Sequence, residues 1–330
     1  MICRAYAPDD QRKLLRVTAP VSASINGTLR KGILAAADSP RVQRGVRRYG
    51  MRLGAARFVA GETLDECVVV LRRLNERGLY ANTTLLGEGV LQPGETDRVV
   101  AAYDQIIDRL ADERLKANVA LKLTHLGLSI DEELAWRNVA ELVAHAADRG
   151  NFVRIDMEES RHVDATLRIY RRLRDDGHEN VGTVLQSYLF RSEGDLATLL
   201  PLAPNLRIVK GAYLEPAEIA YPQKRDVDGA YARLVETSLG GGGFTAVATH
   251  DETLIEHTIS FARGRDIPSE RFQFQLLYGV RPRLQLDLVR RGYDVLVATP
   301  YGPEWYRYLM RRLAERPANL VFFLRNLVRG

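Results

Sequence analysis

Cysteine is nearly absent: Cys3 and Cys67 are the two in 330 residues. That argues against a disulfide framework and fits a reducing cytoplasm. Cys67 shares a helical face with Leu64, Val68, Leu71 and Leu74, so it reads as a small buried apolar residue. Long hydrophobic runs are missing as well. None approaches the roughly 20 residues that a membrane helix needs, and the N-terminus has no continuous apolar segment of the kind a secretory signal carries. Several catalytic signatures do not occur: no H-E-x-x-H, no cysteine–histidine zinc spacing, no G-x-S-x-G, and no strand-linked G-x-G-x-x-G. What is present is a charged chain, 27% Asp, Glu, Lys and Arg, whose 46% hydrophobic content is enough for a large core.

Charge is unevenly placed. Residues 11–61 hold eleven Lys or Arg and one acid, Asp38, which is +10; against a net +5 the remainder carries −5. A basic arm on an acidic body is either a solvated helical arm or a surface drawn to anionic lipid or a partner. No nucleic-acid module accompanies it, so nucleic acid is not expected. Residues 1–27 lack periodicity. Residues 28–59 read as helical, with Ser39-Pro40 starting a second, arginine-rich helix. Thr63 and Glu66 form a capping box for the next helix, whose end Gly78 marks.

Eight short apolar runs follow, at 83–86, 119–123, 152–155, 181–185, 206–209, 244–248, 272–277 and 295–298. Helix-sized segments separate them, among them 95–116, 131–148, 164–175, 228–239 and 253–263. This alternation predicts an α/β fold, a (βα)₈ barrel with its chemistry at the C-terminal strand ends. An open doubly wound sheet is the competitor, but it usually needs fewer strands. Gly240 to Gly243 reads as a flexible connection at the barrel bottom. The expected division is 1–60, an N-terminal extension and basic helical arm, and 61–330, the catalytic barrel.

The strand ends carry Lys122, Asp156, Met157, Glu158, Glu159, Gln186, Tyr188, Lys210, Gly211, Ala212, Tyr213, Thr249, His250 and Asp251, with Arg207, Gln273 and Gln275 inside their strands. Buried charges need partners, so these residues make either a structural ion-pair network, such as Asp156 with Arg207, or a ligand site. In the last helical segment, Tyr308, Arg311, Arg312 and Glu315 fall on one broad face. Two guanidinium groups suit a carboxylate, Glu315 can brace one of them, and Tyr308 can cover an apolar ring. The same spacing also describes an ordinary surface helix. A metal site from Asp156, Glu158 and His250 is a weaker reading, and Lys210 is equally placed for Schiff-base chemistry. A non-catalytic binding barrel also fits these residues.

The stretches ARFVAGETLDE, LKLTHLGL, VRIDMEES, VLQSYLFRSEGDL, NLRIVKGAYLEP, FTAVATHD, RFQFQLLYGVRP and PYGPEWYRYLMRRLAERPANL together resemble the short, monofunctional bacterial proline dehydrogenases. They occur in that family's order across residues 28–330. The resemblance implies a distorted (βα)₈ TIM-type barrel carrying non-covalent FAD, with a C-terminal helix over the barrel mouth. It implies oxidation of L-proline to Δ1-pyrroline-5-carboxylate, the first step of proline catabolism, by hydride transfer from C5 to flavin N5, with electrons passed to a quinone. Asp156 and Arg207 match the catalytic pair. Lys122, Arg311 and Arg312 would hold the proline carboxylate, with Glu315 in support. Tyr213, Leu277 and Tyr308 would shape the ring pocket. Met157, Gln186, Arg207, Val209, Lys210, Gly211, Ala212, Thr249, His250 and Gln275 match flavin contacts, and Lys224 or Arg225 the pyrophosphate. No metal is implied. Two departures stand out. Ala298 replaces a frequent tyrosine, which opens the alternative of a substituted proline or related cyclic imino acid. Gln273 replaces a frequent glutamate. A cytoplasmic protein is expected, with peripheral contact on the inner membrane face through the basic arm and the amphipathic tail 320–328.

Overall fold

The computed structural model describes residues 39–315, with the side chains of 41, 42, 45, 48, 49, 52, 53 and 311–315 outside the described residues. Eight parallel strands close into a barrel in sequence order. They are β1 (Tyr80–Leu85), β2 (Ala117–Lys122), β3 (Val153–Asp156), β4 (Val181–Gln186), β5 (Asn205–Val209), β6 (Phe244–Ala248), β7 (Phe272–Leu277) and β8 (Val295–Tyr301). The barrel body, Gly54–Trp305, is one compact unit. Its helices are α2 (Leu64–Asn75), α3 (Pro93–Asp112), α4 (Glu132–Asp148), α5 (Ser160–Asp175), α6 (Ser192–Leu199), α7 (Lys224–Gly240), α8 (Glu252–Gly264) and α9 (Pro282–Arg290). Outside it lie α1 (Pro40–Leu53), the arginine-rich helix expected after Ser39, and α10 (Trp305–Glu315), which begins at the barrel's last residue. The first part of the arm and the tail 320–328 lie outside the described residues. No described helix is long and apolar enough to cross a membrane.

Local signals set the element ends. Thr63 accepts from the Glu66 amide while Glu66 reaches back to the Thr63 amide, the capping box of α2. Gly78 then turns the chain at φ 75° into β1. Asp131 and Asp251 accept from the first-turn amides of α4 and α8 in the same capping role. Outward-facing strand residues and the helices bury one continuous core that includes Tyr103, Ile106, Leu121, Tyr170, Tyr231 and Phe274.

Two strands are longer than their apolar runs by two residues or more. β1 begins at Tyr80 and β8 runs to Tyr301, and six register pairs join them, Tyr80↔Leu296 to Leu85↔Tyr301. The apolar run of β1 is broken by Asn82, an inward residue whose polarity hides the strand. The glycine stretch after α7 is not simply a flexible link. A Cβ on Gly243 would stand 2.2 Å from the Pro204 carbonyl oxygen, so close backbone packing requires glycine there. Finally, the residues before α2 are stitched to the end of β8. Ala60 N donates to Pro300 O at 2.8 Å, Gly302 N to Gly61 O at 3.0 Å, and Trp305 Nε1 to Glu62 Oε1 at 2.5 Å.

Candidate active site

Strand side chains alternate between barrel interior and helix layer. That period puts Asn82, Lys122, Arg154, Asp156, Gln186, Arg207, Gln273 and Gln275 on the interior side, and the contacts agree. The buried Arg207 guanidinium is held at all three nitrogens. Nη1 donates to Asp156 Oδ1 at 2.7 Å, Nε to Gln275 Oε1 at 2.6 Å, and Nη2 to Asn82 Oδ1 at 3.2 Å. Burial pulls the Arg207 pKa below its ordinary value, and Asp156 opposes that pull. Arg154, two residues before Asp156, is buried with no carboxylate against it. Carbonyls of Thr183 and Asn205 take its protons at 3.0 and 2.7 Å. Burial, and then repulsion from Arg207, lower its pKa to about 9.

Lys122 ends β2 next to this pair. Its Nζ donates to the Tyr213 hydroxyl at 3.3 Å. Burial disfavours the ammonium, but Tyr213, Asp156, Glu158 and Glu88 outweigh it, and the lysine pKa stands above its ordinary value. Glu158 is itself buried and grips Thr124, accepting from its amide at 3.0 Å and its hydroxyl at 2.6 Å. It also accepts at its carbonyl from Gln186 Nε2 at 2.9 Å. Thr124 in turn receives the amides of Gly89 and Val90, so one carboxylate ties the loops after β1 and β2 to β3.

The rim after β5 and β6 is an ion network. Lys210 Nζ sits 2.6 Å from Asp228 Oδ1 and 3.1 Å from Asp251 Oδ2, and Lys224 joins both aspartates. His250 Nε2 accepts from the Leu277 amide at 3.0 Å, which leaves the ring proton on Nδ1. Arg281 donates to the His250 carbonyl at 2.7 Å. Gly211 has φ 112°, and a Cβ there would reach within 2.1 Å of Tyr188 Cδ1, so the Gly211 backbone packs closely against that ring.

Most of the expected site residues therefore come together at the C-terminal strand ends: Lys122, Asp156, Met157, Gln186, Arg207, Val209, Lys210, Gly211, Ala212, Tyr213, Thr249, His250, Gln275 and Leu277. Tyr308, Arg311, Arg312 and Glu315 lie on α10, in the other compact unit, and the last three side chains are outside the described residues. Asp156, Glu158 and His250 do not converge as ligands; among the described residues no cluster of three metal-binding side chains exists. Sequence reasoning missed Asn82, Asn118, Thr124 and Asp228. The signal for the asparagines was polarity at inward strand positions. Thr124 and Asp228 carried none.

The donor set suits a heteroaromatic ring bearing carbonyl oxygens: a fixed guanidinium, the amides of Gln186 and Gln275, and the Thr249 hydroxyl. The glycine-thinned backbone at Gly211 and the lysine pair Lys210 and Lys224 suit its phosphate arm. These residues fit a flavin nucleotide.

Comparison with known proteins gives the family. The family model described as proline dehydrogenase matches residues 67–325. Proline dehydrogenase 1 of Bacillus subtilis is 40% identical over 301 residues, covering 91% of this chain and 99% of that protein. Proline dehydrogenase of Deinococcus radiodurans is 41% identical over 310 residues, covering 93% and 100%. Proline utilization A of Bdellovibrio bacteriovorus, solved after inactivation by N-propargylglycine, shares the fold at a TM-score of 0.76 and 23% identity. That match covers 88% of this chain and 36% of the other. With its barrel matched along nearly all its length and two relatives matched end to end, the chain belongs to the proline dehydrogenase family.

Proposed function

We propose that this enzyme oxidises L-proline to Δ1-pyrroline-5-carboxylate with a non-covalent FAD, and that a membrane quinone takes the electrons. The observation that carries the reading is the two cations around Asp156, Lys122 at the end of β2 and the buried Arg207 inside β5, in a polar-cored barrel of a chain of this family. A flavin held by these residues supplies the hydride acceptor for the ring carbon C5.

The protein's part is placement and charge. Lys122, kept cationic by the groups around it, holds the proline carboxylate, and Arg311 and Arg312 with Glu315 complete that site from the resemblance. Tyr213, Leu277 and Tyr308 form the ring walls. Fixing both the anion and the ring leaves one orientation for C5. Asp156 keeps the Arg207 charge in place, and Arg207 stabilises negative charge that develops on the cofactor side. Met157, Gln186, Val209, Lys210, Gly211, Ala212, Thr249, His250 and Gln275 hold the flavin. Residues 61–330 act as the catalytic portion. The arm 1–60 and the tail 320–328 make peripheral contact with the inner face of the membrane from the cytoplasmic side.

One observation favours a second reading. Ala298 lies opposite Leu277 and Asn82 in the sheet register, so a small residue borders the proposed ring wall and admits a substituted proline. The lyase reading loses its nucleophile, because Lys210 is tied to Asp228 and Asp251. The test is an anaerobic visible spectrum. Flavin bands that bleach on adding L-proline are expected; bands that persist, or their absence from the purified protein, would overturn the reading. Faster bleaching by a ring-substituted proline would select the second.

A further inference from the structure

Two asparagines inside the barrel belong to none of the roles above. Asn82 in β1 and Asn118 in β2 are register partners. Asn82 is 1% exposed, so its amide has to be satisfied by protein. Its Nδ2 donates to Asn118 Oδ1 at 2.5 Å, and its Oδ1 accepts from Arg207 Nη2 at 3.2 Å. The two ends of an amide have opposite hydrogen-bonding character, and a guanidinium only donates. A flipped Asn82 would turn N–H groups toward N–H groups. Asn118, by accepting from Nδ2, and Arg207, by donating to Oδ1, hold Asn82 in the same orientation.

The opposite side repeats the construction. Gln275 Nε2 donates to Gln273 Oε1 at 3.1 Å, which leaves Gln275 Oε1 to accept from Arg207 Nε at 2.6 Å. Asp156 takes the third nitrogen. The guanidinium is thus clamped between two amide pairs and one carboxylate, and it cannot tilt without breaking a bond in each direction. A buried cation acts strongly on its neighbours, so a small tilt changes what they feel.

We propose that Asn82 and Asn118 are positioning residues, a two-amide relay that sets the tilt of the Arg207 guanidinium and through it the electron affinity of the bound flavin. This rests on the flavin reading above. Asn118 touches neither Arg207 nor any residue assigned to substrate, yet its side chain is felt at the cation through Asn82.

The experiment compares flavin midpoint potentials of the parent, Asn82→Ala, Asn118→Ala and the double variant, by anaerobic spectroelectrochemistry, with kcat and KM for L-proline alongside. Asn82→Ala is expected to lower the equilibrium for flavin reduction about tenfold, a shift of about 30 mV to the negative for a two-electron couple. kcat should fall about tenfold while KM moves less than threefold. Asn118→Ala is expected to shift the potential in the same direction by less, and the double variant to match Asn82→Ala rather than add to it. An equilibrium for flavin reduction within twofold of the parent in Asn118→Ala, or additive shifts in the double variant, would overturn the relay. Asn118 is half-buried, so its variant keeps the test decisive should Asn82→Ala not fold. A parent protein without flavin overturns the proposed function instead, so the two failures are distinct.

Discussion

Lys122 and Tyr213 meet at the barrel mouth, from the end of β2 and the loop after β5. The ammonium nitrogen lies 3.3 Å from the phenolic oxygen and 6.0 Å from the ring centroid. The tyrosine therefore aims the lysine without neutralising it. Lys122→Met is expected to raise KM for L-proline by about 10- to 100-fold, the worth of one charge-assisted hydrogen bond, with a smaller change in kcat. Tyr213→Phe keeps the ring and should raise KM only a fewfold. Steady-state kinetics on both variants checks this; an unchanged KM in Lys122→Met would remove lysine from the carboxylate site.

Among the described residues, Asp156 is the one carboxylate hydrogen-bonded to Arg207. Asp156→Asn leaves a buried cation uncompensated, and breaking such a pair costs about 3 kcal/mol. Denaturant unfolding should read that loss. The visible spectrum of the same variant should show weaker flavin retention.

Gly211→Ala puts a methyl group into the Tyr188 ring at a backbone angle that L-residues rarely adopt. The expected outcome is a folded barrel that purifies with a much reduced flavin-to-protein ratio. Retention equal to the parent would show that the peptides after β5 do not line the cofactor.

Helices α3 and α4 carry a pH-dependent clamp. His145 of α4 bonds Asp104 Oδ1 at 2.6 Å and Asp108 Oδ1 at 3.0 Å, while Arg149, the residue after α4, shares Asp108 and also pairs with Asp112. The hydrogen bond that the His145 ring donates to Asp104 is the leading cause that raises the His145 pKa above its ordinary 6.5. A raised imidazole pKa gives stability that is fully present below the unfolded value and is lost as pH rises through the folded value. Melting temperature should therefore decline as pH rises above the ordinary imidazole value of 6.5, and His145→Gln should flatten that slope. A parallel slope in the variant would contradict the clamp.

Ala298→Tyr fills the space beside Leu277. It is expected to lower the rate on ring-substituted prolines about tenfold relative to L-proline, the scale on which pocket size discriminates. Initial rates on matched substrates check it.

The barrel was legible because each strand run is short, apolar and followed by a helix. The periods of two and 3.6 need no tertiary information. Asp156 and Arg207 were legible for the opposite reason, as charges where apolar residues belong. What escaped was whatever depends on which strands become neighbours. Asn82 and Asn118 lie 36 residues apart and meet only because β1 and β2 pair in one register. Asp228 reads as an ordinary surface residue of α7 until the turn after β5 brings Lys210 to it. The ends of β1 and β8 were set by mutual pairing rather than by local composition.

The stitches from Ala60 to Pro300 and from Gly61 to Gly302 bring the chain's way into the barrel and its way out to a single seam. A longer polypeptide can therefore carry this barrel as an insert. Both connections leave from one place, so neither neighbour needs to span the barrel's width, and a change in the length of either flank leaves the strand order and the strand-end residues untouched.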